Sequence, residues 1–111
     1  MTQANTSPET LKLLAHVKER LQAACGDRLR GVLLYGSQAR GEQALSSDVD
    51  ILVLLAGPVA LGRDLRAIIH ALYPLELELG RPIHAMPVDI QAYEAGEYSW
   101  FRNAKREGIL V

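Results

Sequence analysis

The chain has 111 residues, a formal net charge of −1 and 49 % hydrophobic residues. That length predicts one domain, residues 1–111, with enough apolar content to bury a core. The balanced charge excludes a general binder of nucleic acid or membrane surfaces, and no apolar run approaches the ~18 residues of a bilayer span.

The N-terminus, "MTQANTSPET", has neither the basic nor the apolar region of a secretory signal. The single cysteine, Cys25, cannot close a disulfide within the chain and reads as a small core residue. A reducing, cytoplasmic location is expected. Ser7-Pro8-Glu9 has helix-start chemistry: a capping hydroxyl, a proline at the first position and an acid at the positive end of the dipole. Leu14, Val17, Leu21 and Ala24 then recur at helical spacing until Gly26. Leu29 to Tyr35 reads as a strand, Gly36 to Gly41 as a turn opening a helix, and Val49 to Leu55 as a second strand. The nearly unbroken apolar run of the second strand predicts cover on both faces. Gly57-Pro58 ends it.

Leu61, Leu65, Ile68 and Leu72 mark another amphipathic helix. "PLELELG" (Pro74 to Gly80) alternates like a strand, and Pro74 disfavours a straight helix, so pattern alone leaves it open. Pro82 to Val88 reads as a third strand. Asp89 suits the N-cap of a helix running through Tyr93 to Ala95, and Gly96 interrupts it. Ser99 is placed to cap a last helix that Gly108 ends, leaving "ILV" as a terminal strand or clip. The expected architecture is a small α/β domain with a mixed sheet flanked by helices. His16 and His70, on amphipathic helices, read as exposed or structural.

Chemistry concentrates between the first two strands. Asp48 and Asp50 are two apart, so an extended backbone puts both on one face, while Val49 turns into the core. Two neighbouring carboxylates repel, and a hard divalent cation such as Mg²⁺ relieves that, taking few protein oxygens and completing its shell with phosphate and water. Gly36-Ser37 follows the first strand directly. Backbone N–H groups at a helix start cradle phosphate, the Ser37 hydroxyl adds a donor, and Arg40 is one turn on.

Gly36-Ser37, ten residues, then Asp48-x-Asp50 resembles the signature of the DNA polymerase β-like nucleotidyltransferase superfamily. "YGSQARGEQALSSDVDILV" resembles its minimal nucleotidyltransferases, and "FRNAKREGILV" is similar to their closing helix. The resemblance implies the polymerase β-like core, with "PLELELG" continuing a helix bent at Pro74. It implies Mg²⁺-dependent transfer of a nucleoside monophosphate, AMP from ATP, to an acceptor hydroxyl. Gly36, Ser37 and Arg40 would hold the nucleotide, and Asp48 and Asp50 the metal.

Fully active relatives carry a third carboxylate on the next core strand. Counted back from Asp89 as a helix cap, that position is His84; read literally in "PVDI", it is Asp89. Stand-alone minimal members commonly serve as antitoxins that adenylylate a tyrosine of a helical HEPN-domain RNase toxin. The resemblance therefore implies such a partner. The alternatives are a catalytically weak antitoxin that acts by contact, and a homodimeric small-molecule nucleotidyltransferase.

Overall fold

The computed structural model describes residues 8–35 and 48–111, so Ser7, Gly36, Ser37 and Arg40 lie outside the described residues. Helix α1 (Pro8–Cys25) leads through a 3-10 turn (Gly26–Arg28) into strand β1 (Leu29–Tyr35). Strand β2 (Val49–Leu55), helix α2 (Leu61–Leu79) and strand β3 (Ile83–Asp89) follow, then helices α3 (Ile90–Ala95) and α4 (Ser99–Glu107) and strand β4 (Ile109–Leu110). The sheet order is β3-β2-β1-β4. β1 runs antiparallel to β2 and β4, and β2 runs parallel to β3. A parallel pair needs a crossover, and α2 supplies it.

The apolar run of β2 divides by alternation. Val49, Ile51, Val53 and Leu55 pack with Leu14, Val17 and Leu21 of α1 and Ile68, Leu72 and Leu75 of α2. Leu52 and Leu54 point the other way, to Val88 and to Tyr93, Phe101 and Ala104 of α3 and α4. The sheet is covered on both faces, as the unbroken hydrophobicity of β2 requires. This mixed sheet with flanking helices is the α/β architecture expected from the sequence. No helix among the described residues is long and apolar enough to cross a membrane.

"PLELELG" is helix: α2 carries Pro74 inside it and ends at Gly80, whose φ of 66° and N–H bond to the Glu76 carbonyl close the last turn. Leu72 and Leu75 hold both sides of the proline to the core. The Glu76 carboxylate accepts the Ile83 N–H at 2.8 Å, joining the helix to the start of β3.

Four local expectations need correction. Ala24 is exposed, because α1 turns its Leu14–Val17–Leu21 stripe inward and Ala24 lies past its end. Leu61 and Leu65 do not belong to the core stripe of α2, which runs through Asp64, Ile68, Leu72 and Leu75; Leu61 is 56 % exposed. Ser99 is the first residue of α4 and Tyr98 is its cap, with no side-chain cap bond. The third strand begins at Ile83 and extends to Asp89. "ILV" contributes a true strand. Gly108 permits it to lie against α4, because a Cβ there would meet the Ala104 carbonyl oxygen at 2.6 Å. Cys25 is half-buried against the core, and burial raises its thiol pKa, opposed by Arg28.

At the end of β1 and β2 remote from the Asp48–Asp50 pair, Arg28 grips Asp64 with both guanidinium arms, at 2.9 and 3.1 Å. It also donates to the carbonyls of Ala56 and Pro58. Asp64 accepts the Ala60 N–H at 3.0 Å. One ion pair thus ties the 3-10 turn, the β2–α2 connection and the first turn of α2 together.

Candidate active site

Register brings three side chains into one row. Asp50 of β2 is opposite Tyr35 of β1 and opposite His84 of β3. Residues directly opposite share a face, and this is the face that carries Leu52 and Leu54. The helices α3 and α4 pack over the Leu54–Val88 end of that face. Asp48, two residues before Asp50, is on the same side, with the fully buried Val49 between them. His84 Nε2 is 2.8 Å from Asp48 Oδ2.

That contact fixes a tautomer. An ionised carboxylate only accepts hydrogen bonds, so Nε2 carries the proton and donates to Asp48. In that tautomer the lone pair is on Nδ1. Burial raises the pKa of the half-buried Asp50; His84 works against that rise and Asp48 adds to it. Tyr35 is also raised, by burial first and by Asp50 second, so its phenol is protonated at neutral pH. Tyr35 was missed by sequence reasoning. Its signal was available: it is the last residue of a strand that enters the Gly-Ser turn.

The two alignments for the third position separate cleanly. His84 sits across from Asp50, whereas Asp89 sits across from Leu55. Five residues of strand, roughly 16 Å, separate the two rows. Asp89 caps α3, accepting the Gln91 N–H at 2.8 Å. A Cβ on Gly57 would run into its carboxylate, so a larger residue there would push Asp89 out of its cap position. By register, Asp89 lies apart from the Asp48–Asp50–His84 group.

Asp48 and His84 are about half exposed or more. A cleft of about 270 Å³ wraps the β3 edge beside them, lined by His84 and Met86 and by Leu65 and Ile69 of α2. The larger groove of about 770 Å³, between α1 and α2, holds none of these side chains. A family model described as a nucleotidyltransferase domain matches residues 12–103. The chain belongs to the nucleotidyltransferase domain family. The match runs from α1 into α4 and includes every site residue named above. No curated protein matches the chain.

Among the described residues of this nucleotidyltransferase, no three His, Cys, Asp or Glu side chains are gathered to hold a metal ion on protein ligands alone. The donor set still fits the divalent cation of a nucleotide. Mg²⁺ is bound through one or two carboxylates plus substrate phosphates, and Asp48 and Asp50 are two carboxylates on one face. Imidazole is a poor third partner for Mg²⁺ beside oxygen donors.

Proposed function

We propose that this nucleotidyltransferase moves AMP from ATP to a hydroxyl, that of a tyrosine on a partner HEPN toxin, and so acts as an antitoxin. The observation that carries the transfer chemistry is the Asp48–Asp50 pair, on one face at the start of β2. Mg²⁺, arriving with the nucleotide, supplies charge neutralisation on the phosphates. Asp48 and Asp50 hold it, and Gly36, Ser37 and Arg40 bind the phosphate tail. The acceptor oxygen bonds to the α-phosphorus as the bond to the bridging oxygen breaks and pyrophosphate leaves. The acceptor proton passes to Nδ1 of His84, whose imidazolium Asp48 then stabilises through Nε2–H.

His84 in place of a carboxylate also favours a second reading, a binding antitoxin with weak catalysis. Incubation with labelled ATP, Mg²⁺ and the product of a neighbouring toxin gene tests both. Label on a toxin tyrosine supports the enzyme. Neutralisation of the toxin without label, under every divalent metal, replaces it with the contact antitoxin.

Two substitutions sharpen the assignment. His84→Asp restores an oxygen ligand beside Asp50 and is expected to raise the transfer rate, within the ~10²–10⁴-fold that a positioned base contributes. Asp89→Ala should leave transfer unchanged and cost about 1 kcal/mol of stability through the lost cap. Loss of transfer in Asp89→Ala with intact folding would mean that the register has been assigned the wrong role.

A further inference from the structure

The groove of about 770 Å³ between α1 and α2 carries a different chemistry from the candidate active site. Arg20 of α1 and Arg63, Arg66 and His70 of α2 line it. The rest of its lining is four alanines and Pro74, with no carboxylate. Arg20, Arg66 and His70 make no hydrogen bond or ion pair among the described residues. Arg63 comes no closer than 3.8 Å to Asp64, a carboxylate that Arg28 already holds at 2.9 and 3.1 Å. A chain with a formal net charge of −1 has thus gathered like charge around one hollow. The mutual repulsion is relieved by an anion, and a cleft lined by one sign of charge draws that anion in.

The donors and their spacing identify the kind of anion. Arg63, Arg66 and His70 stand on successive turns of α2, about 5–6 Å apart at Cβ. Arg20 adds a donor from the other helix. The three cations are all arginine, whose flat fork bonds two phosphate oxygens at once, and an imidazole always carries at least one N–H. Donors this dense suit several negative charges held close together. A nucleic-acid strand spreads its charges along a track, and an acidic peptide offers one carboxylate per side chain. The alanines leave the space for the ligand, since a longer side chain at Ala67 would fill the groove. We infer that the groove between α1 and α2 binds the polyphosphate group of a small ligand, at a site separate from the Asp48–Asp50 pair. The site stands whether or not the transfer reaction proposed above takes place.

Calorimetric titration in EDTA at about 50 mM salt tests it, because without a divalent cation the carboxylate pair repels phosphate. Tripolyphosphate should bind the wild-type chain with a dissociation constant on the order of 100 µM. Arg20→Gln and Arg66→Gln should each weaken that binding by roughly tenfold. Ala67→Leu keeps every charge and should weaken it as much, with an unchanged melting curve. Asp50→Asn should bind as the wild type does. ATP under the same conditions distinguishes the sources: binding of both supports a nucleotide's phosphate tail, and binding of tripolyphosphate alone supports a free polyphosphate. No binding of tripolyphosphate up to about 5 mM overturns the proposal. So does affinity indifferent to both arginine variants, or affinity lost in Asp50→Asn. Indifference to Ala67→Leu reduces the groove to diffuse surface charge and overturns it equally, as does single-stranded RNA binding where tripolyphosphate does not.

Discussion

Asp50→Asn should abolish Mg²⁺-dependent ATP binding and lower transfer by on the order of 10³-fold, while the protein folds as well as before or better. Asparagine keeps the shape and loses the charge that a divalent cation pairs with. The stability half of the expectation follows from the pKa. Burial raises Asp50, and the neighbouring Asp48 carboxylate adds to it. A carboxyl with a raised folded-state pKa keeps its proton more readily when folded, so its ionisation disfavours the fold. The penalty is absent below the ordinary carboxylate range, grows as pH rises from that range to the raised value, and then stays constant. The asparagine variant lacks that pH dependence. Calorimetric titration with Mg²⁺·ATP and thermal melts at two pH values read both halves. Unchanged nucleotide affinity would remove Asp50 from the site, and a strongly destabilised variant would mean that its charge is structurally compensated.

Asp64→Ala should produce a large loss of stability, about 2 kcal/mol, with catalysis affected only through folding. Asp64 is 6 % exposed. Its carboxylate engages the Arg28 fork and the Ala60 N–H at once. Deleting it leaves Arg28 without its partner and an N-terminal amide of α2 unsatisfied. Arg28 can turn to water, since its side chain is 35 % exposed, so the loss is smaller than for a fully buried pair. In a domain of this size the melting temperature should fall by roughly 8 °C or more. The pair also predicts an acid limb. The hydrogen bond from Arg28, more than any other influence, holds the Asp64 pKa below its usual value. Its stabilisation is therefore complete above the ordinary carboxylate range and is lost as pH falls through the depressed value. Melting curves of wild type and variant should converge toward low pH. A constant gap down to strongly acid solution would contradict the ion-pair account.

The strands were legible because both signals agree there. Leu29–Tyr35 and Val49–Leu55 are apolar runs bounded by Gly and Asp, and burial on both faces leaves no competing pattern. The Asp89 cap was legible from one residue type at a strand-to-helix junction. The core stripe of α2 was not. Two apolar stripes overlap on that helix, and periodicity does not say which faces the sheet. Leu61 and Leu65 therefore passed as core while Leu75 did not. Arg28 and Asp64 are 36 residues apart, so no local pattern joins them. Where His84 and Asp89 stand relative to Asp50 needed register, which belongs to the sheet rather than to either strand. Gly36, Ser37 and Arg40 lie outside the described residues, so their part of the site rests on sequence.

Arg28 with Asp64, and Asp89 capping α3, anchor the end of the sheet where Leu29 meets Leu55 and Leu55 meets Asp89. Tyr35, Asp50 and His84 occupy the opposite end. What keeps the protein folded and what reacts are written on different residues a strand's length apart. Inheritance can then treat them separately. A side chain in the Tyr35–Asp50–His84 row can be exchanged without touching the contacts that hold the opposite end of the sheet. Variation at the anchored end has no such latitude, since a change there is felt by every molecule before any substrate is met.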